Sequence, residues 1–352
     1  MKSVTTTTAT SLLFLALIQA AMCANNGTVD VATFFPQING NLTKIVWAHA
    51  VNNKSKLEKV LDTVTSSRFS NVPPSSTFFL SLSLSYPKAA CSFATNLPLL
   101  FKADIMMLEA DVTIAANSTT PIMAHPPANS SDLTLEEFLD KVIAKNVSKG
   151  IKLDFKSIEA FNASKPILDR VRSNIKFPVF LNADILAGPG NATVVPVNAE
   201  SFLTEAKTYP EYTLSVGWTT RYDAKDNITE ARYTEKQIQE MIDTVKRQKI
   251  TQPITYPVRA GLAANDIQVI KSLLEKSSEM KNATLTVWSS EGDKVDPEKL
   301  SQLIREVGVN KVFVDVPQDL LNKLRYSGAS SVSVASVVIT VTFITAFLST
   351  IL

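Results

Sequence analysis

The chain has little cysteine, little histidine and no run of one charge, and each shortage removes a class of answer. Only Cys23 and Cys91 occur in 352 residues, and Cys23 falls at the predicted cleavage point of an N-terminal signal. A disulfide framework is therefore excluded, and a hydrophobic core must hold the fold alone. Basic and acidic residues number 35 and 33, a formal net charge of +2 with no basic block. That balance gives no footing for nucleic-acid binding. No stretch rich in Pro, Gly or Ser divides the predicted elements, so a single domain is expected. The first predicted strand, Lys44 to Val51, runs into His49-Ala-Val-Asn52-Asn53 without a glycine. A phosphate-cradling glycine loop, the usual mark of an open doubly wound sheet, is missing there.

The two ends read as addresses rather than structure. Residues 1–24 carry an early Lys2, an apolar stretch from Leu12 to Ala21 and small residues at Ala21 and Ala24, the pattern of a secretory signal peptide. The apolar stretch is too short for an anchor that crosses a bilayer. No charge follows Arg325, and Val332 to Leu352 is almost wholly apolar after the small residues Ser327, Gly328 and Ala329. Residues 327–352 are therefore expected to be a glycosylphosphatidylinositol signal with attachment at Ser327. A single-pass membrane segment is the alternative. Asn-x-Ser/Thr sequons occur at Asn26, Asn41, Asn53, Asn117, Asn129, Asn146, Asn162, Asn191, Asn227 and Asn282. Their number agrees with export and predicts an extracellular, cell-surface glycoprotein.

Between the signals, predicted strands alternate with predicted helices. Strands are expected at 44–51, 104–114, 151–155, 178–186, 212–218, 255–259, 283–289 and 311–316. Helices are expected near 54–65, 133–147, 158–172, 199–208, 234–248, 264–276, 297–307 and 318–325. Eight βα units in residues 40–325 predict an α/β fold of the (β/α)8 TIM-barrel type. Residues 66–102, where Leu and Ser alternate between prolines, break the rhythm and read as an atypical, poorly ordered insertion.

In such a barrel the strand C-termini line the functional face. The stretch 103–125 is the most informative. An apolar run ends in Glu109 and Asp111, which share a strand face, and a second short run, Pro121 to Ala124, ends in His125. His49, the other of the two histidines, ends the first strand. In Lys152-Leu-Asp154-Phe-Lys156 the charges alternate with apolar residues, which puts the charges on one face. Clustered carboxylates repel unless a cation holds them, and oxygen-rich sets suit Mg2+ or Ca2+. Lys152, Lys156 and Arg259, with Asn182 and Asp184 on the next strand, could receive an anionic substrate. The histidines could serve as acid and base. The plain alternatives are an interior ion-pair layer around Asp154, a Glu109–Lys152 pair and a satisfied core histidine at His49.

Five ordered motifs carry a family likeness: Trp47-Ala-His49-Ala-Val-Asn52, Met107-Leu-Glu109-Ala-Asp111-Val, Pro121-Ile-Met-Ala-His125-Pro-Pro, Gly150-Ile-Lys-Leu-Asp154-Phe-Lys156 and Leu181-Asn182-Ala-Asp184-Ile-Leu. Together they closely resemble the menorin family over about residues 40–320, the insertion excepted. That family is in turn similar to the phospholipase C-like, glycerophosphodiester-type phosphodiesterase barrels. The resemblance implies a divalent cation on Glu109, Asp111 and Asp154, with His49 and His125 as the acid–base pair. Two departures stand out. Ala50 and Val51 follow His49 where the enzymes carry Arg and Gly, and the third acid is the shorter Asp154. Members of the family look like extracellular ligands of cell-surface adhesion molecules or receptors in neuronal patterning. Three functions therefore remain open: a cell-surface signalling or adhesion module, a divalent-metal phosphodiesterase, and a barrel that keeps its acids for structure.

Overall fold

The apolar runs become the strands of a barrel. The computed structural model describes residues 29–62, 104–222 and 228–326. The signal peptide, Asn26, the 66–102 insertion, both cysteines, Asn227 and the C-terminal segment with Ser327 lie outside the described residues. Eight parallel strands pair in sequence order: β1 (Trp47–Ala48), β2 (Met107–Ile114), β4 (Gly150–Phe155), β5 (Val179–Ala187), β6 (Thr213–Thr219), β7 (Ile254–Arg259), β8 (Thr284–Trp288) and β9 (Val312–Asp315). β3 (Pro121–Met123) stands apart, antiparallel to the end of β2, with Val112 opposite Met123. The barrel is nearly closed. Across the seam between β9 and β1, the Leu42 amide donates to the Val309 carbonyl at 2.8 Å.

Alternation along the strands sorts the side chains. Leu108, Ala110, Val112, Leu153, Phe155, Leu181 and Ala183 are fully buried within the main hydrophobic cluster. The helix Ile158–Val171 and the helix Ala199–Ala206 meet this layer through Phe161 and Phe202, whose ring centroids lie 4.8 Å apart. Burying such a ring stabilises by roughly 2–3 kcal/mol. The other strand face lines the barrel interior. At its lower end Trp47, Phe180 and Phe313 meet edge-to-face, with centroids 5.6 to 6.3 Å apart. Above this plug lies a polar layer: Ser215 donates to Asn182 Oδ1 at 2.5 Å, and the Thr255 and Thr286 hydroxyls meet at 2.9 Å. The apolar plug fills the lower end of the interior.

Caps fix where the helices begin. Thr134 and Glu137 form a capping box on Leu135–Lys145, and Thr234 with Gln237 forms one on Glu235–Arg247. Asp132, two residues ahead of the first box, accepts from the Lys54 amide at 3.1 Å. Two expectations are corrected. The first strand, expected over 44–51, pairs only at Trp47–Ala48, because residues 42–44 close a 3-10 turn and Ala50 is left-handed at φ 51°. The helix expected over 264–276 is two pieces, Ala260–Ala263 and Ile267–Lys276, separated at Asp266, whose side chain caps the second. Within the run Pro121–Ala124, residues Pro121–Met123 form a hairpin arm against β2. Among the sequon asparagines in the described residues, Asn53, Asn117, Asn129, Asn146, Asn162, Asn191 and Asn282 are exposed and Asn41 is half-buried. No helix of the described residues is long and apolar enough to cross a membrane.

Candidate functional site at the barrel mouth

The strand-end polar residues converge as the alternation requires. Glu109 stands opposite Lys152 and Asp111 opposite Asp154 in the β2–β4 ladder, and Asp154 stands opposite Asn182 in the next. Glu109, Asp111 and Asp154 each offer a carboxylate oxygen within 4.8 Å of the others. His49, His125, Lys152, Lys156, Asn182, Asp184 and Arg259 line the same cavity of about 430 Å³. All ten candidate catalytic, metal and substrate residues therefore meet at one mouth.

The acids are held by the chain. Lys156 reaches back over its own strand end, its Nζ 2.7 Å from Asp111 Oδ1 and 2.5 Å from Asp154 Oδ2. Asn182 donates to the other Asp154 oxygen at 2.6 Å. Burial opposes the charge on Asp154, but Lys156 and Lys152 outweigh it and hold its carboxyl below the ordinary range. Burial likewise opposes the ammonium of Lys156, and the surrounding acids overcome it and raise its pKa. Glu109 fares differently. Its oxygen accepts from the Ala50 amide at 2.6 Å, yet burial pushes its pKa up to about 7, against the opposing pull of His49. One carboxyl of the three is thus under-compensated by the cations of the chain. A hard divalent ion suits an all-oxygen set in that condition, so the donor set fits Mg2+ or Ca2+, which would compete with Lys156 for the same oxygens.

Each histidine is fixed through Nδ1. His49 Nδ1 lies 3.2 Å from Asp315 Oδ2 and 3.4 Å from Glu109 Oε2. Burial lowers its pKa, but the Asp315 hydrogen bond and the two carboxylate charges prevail and raise it to about 9. The ring keeps 54% of its side-chain surface, so solvent screens part of that effect. His125 is exposed, with Nδ1 2.6 Å from the Pro126 carbonyl. A carbonyl only accepts, so Nδ1 donates there, and the neutral ring carries its lone pair on Nε2.

Arg259 lines the cavity but is already engaged. Its Nε and Nη2 donate to the two Asp293 oxygens at 2.9 and 2.7 Å, and its guanidinium lies between the Tyr222 and Trp288 rings. Asp184 projects from β5 two residues beyond Asn182, and burial, then the charge of Asp154, raises its pKa to about 7.

Sequence reasoning missed three partners. Asp315 orients His49, Asp293 holds Arg259, and Asn52 clamps Asp111 by donating to its carboxylate at 2.7 Å and accepting from its amide at 3.0 Å. Asp315 ends an apolar strand in Val312-Phe-Val-Asp315, the same signal that marked Glu109 and Asp154.

Comparison with known proteins gives the family. A family model described as the Menorin N-terminal domain matches residues 86–321, more than half of the chain. The chain belongs to the menorin family. It is also similar to human Protein FAM151B, with 37% identity over 220 residues, spanning 61% of this chain and 76% of that protein. The match to the menorin model begins inside the segment read as an insertion, and His49 and Asn52 lie ahead of it. Glu109, Asp111, His125, Asp154 and Lys156 all fall within the menorin match.

Proposed function

We propose that this menorin barrel is a divalent-cation-dependent phosphodiester hydrolase. The observation that carries the reading is the flanking of a three-carboxylate cluster by two Nδ1-anchored histidines inside one mouth. Glu109, Asp111 and Asp154 would hold the cation, which when bound would polarise a phosphoryl oxygen and neutralise its charge. Lys156 and Lys152 add positive charge where the phosphate enters. His125, with Nε2 unprotonated, accepts a proton from the attacking water. His49, braced between two carboxylates that favour its imidazolium, donates a proton to the departing alkoxide. Water and a phosphodiester give a phosphomonoester and an alcohol, and the two protons balance. Asp315 is a positioning residue that keeps the His49 ring aligned.

The test is hydrolysis of glycerophosphocholine and of bis(4-nitrophenyl) phosphate by the purified protein with Mg2+ or Ca2+. Activity is expected, and His49→Ala is expected to lower kcat about 100-fold or more. Turnover unchanged by that substitution would remove the assigned roles.

A second reading has its own support. No arginine follows His49, and Arg259 is already paired with Asp293. Such a mouth suits recognition as well as turnover, and the exposed sequons suit an extracellular glycoprotein bound to cell-surface adhesion molecules or receptors through a C-terminal anchor. Endoglycosidase treatment should then lower the apparent mass, and a glycosylphosphatidylinositol-cleaving lipase should release the protein from cells. Binding of the soluble barrel to adhesion-receptor ectodomains that survives His49→Ala would favour this reading over hydrolysis.

A further inference from the structure

The charged groups of the mouth crowd onto β1, β2, β4 and β9. The opposite wall, built by β5 to β8, is of another kind. Its Asp184 carboxyl meets no hydrogen-bond or ion-pair partner among the described residues. Gly217 faces it in the β5–β6 ladder, and a Cβ there would come within 2.9 Å of Asp184 Oδ1 and 2.7 Å of Pro257 Cγ. Glycine thus keeps the space in front of the carboxyl open. Thr219, two residues further along β6, is 4% exposed and lines the same cavity, and its buried hydroxyl has no partner. A buried unpaired hydroxyl carries a desolvation cost that a ligand can relieve. Beyond it, Arg259 is fixed by Asp293 and has used only two of its five N–H donors. Trp288 presents an aromatic surface to the cavity beside it.

The charges of this wall decide what fits. A cationic group would meet the immobile guanidinium of Arg259. A second anion would meet the carboxyl of Asp184, and the guanidinium charge is already matched by Asp293. An apolar group would leave Asp184 and Thr219 buried and unpaired. A neutral group rich in hydroxyls satisfies all of them. Its O–H groups donate to Asp184, its oxygens accept from Thr219 and from the spare N–H groups of Arg259, and its C–H face lies on Trp288. The donors and acceptors are spread over three neighbouring strands, spaced at ~4.8 Å, with Trp288 on the fourth. A ring with hydroxyls around its edge reaches several of them together, which a three-carbon chain cannot.

We propose that the β5–β8 wall is a binding subsite for a neutral ring polyol, a sugar or cyclitol, presented as the alcohol arm of the substrate. In this last respect the inference rests on the phosphodiester reading of the charged wall. The wall would then choose substrates by their hydroxyls, because a site built to hydrogen-bond them rejects analogues that lack them.

The experiment is saturation-transfer NMR on the folded protein with myo-inositol, D-glucose, glycerol, choline and inorganic phosphate as separate probes. At least one ring polyol should give transfer at millimolar concentration, stronger than glycerol or choline. Asp184→Ala and Thr219→Val should each weaken that signal at least fivefold. Thr219→Val also removes an unpaired buried hydroxyl, so its free form should melt no lower than the parent. That variant keeps the test valid if Asp184→Ala folds poorly. Absence of transfer to every ring polyol in cooperatively melting protein, or preference for choline, would overturn the subsite. Phosphodiester turnover without ring-polyol binding would sink the subsite alone, and ring-polyol binding without turnover would sink the hydrolase reading alone.

Discussion

The two walls of the barrel mouth solve the problem of buried polarity in opposite ways. On β1, β2, β4 and β9 the charges bind one another: Lys156 joins Asp111 to Asp154, Asp315 and Glu109 flank His49, and Asn52 clamps Asp111. On β5 to β8 the residues lining the mouth are mainly neutral, and the buried Thr219 hydroxyl has no partner among the described residues. Below the mouth Ser215 is bonded to Asn182 and Thr255 to Thr286, while the Trp47 indole N–H of the bottom plug has no partner among the described residues. Tyr212, Trp218 and Ser289 also keep unpaired buried atoms, but of these residues Thr219 is the one that lines the mouth cavity, where an incoming ligand could reach it. The charged wall resembles a site held ready by internal counter-charges, and the neutral wall resembles one that a ligand completes.

The comparison breaks most directly at Lys156. Lys156→Met leaves buried carboxylates uncompensated and should cost about 3–5 kcal/mol in urea denaturation without divalent cation. Added Ca2+ or Mg2+ should recover much of it, since a cation on the same oxygens takes over the role. A small loss, or a loss indifferent to cation, would mean the charged wall does not depend on its counter-charges.

Next in size is Asp315→Asn. The ring of His49 keeps a hydrogen-bond partner but loses a charge, and phosphodiester turnover should fall about 10- to 100-fold. Stability at neutral pH should change far less. Equal activity in the variant would remove Asp315 as a positioning residue.

The pH dependence of stability draws on groups of both walls. Glu109 moves from 4.5 to about 7 on folding, so the folded chain holds its proton more tightly and stability falls as pH rises through that interval. His49 moves from 6.5 to about 9, so its contribution is full below 6.5 and is lost as pH rises through 9. Asp184 acts in the same sense as Glu109, up to about 7. Without divalent cation the melting temperature should decline from about pH 5 to about pH 9. Glu109→Gln should flatten the acid part and His49→Ala the alkaline part. A rising profile in that window would contradict these environments. The smallest effect is Thr219→Val on the neutral wall, expected to be neutral or to stabilise the free protein by up to ~1 kcal/mol.

Much of the barrel was legible because strands buried on both faces read as apolar runs, and their ends moved by only a few residues. β1 was not, since Lys44 to Val51 looks uniformly strand-like while the ladder needs only Trp47 and Ala48 to reach β2. The β2–β3 hairpin was also hidden. A three-residue arm has too few positions to display an alternation. In the site, each acid, base and cation was visible as a polar residue at a strand end. Their pairings were not. His49 and Asp315 are 266 positions apart, and only barrel closure brings strand one beside strand eight. Likewise Arg259 reads as a free phosphate ligand until the turn carrying Asp293 folds over it.

The central claim is that the three carboxylates form a cation site serving the mouth. Calorimetric titration of Mg2+ and Ca2+ into the wild-type protein and Glu109→Gln tests it most directly. Binding of about one equivalent by the wild type and its loss in the variant, with the variant still folded, are the expected results. No cation binding by the wild type, or undiminished binding by Glu109→Gln, would contradict the claim.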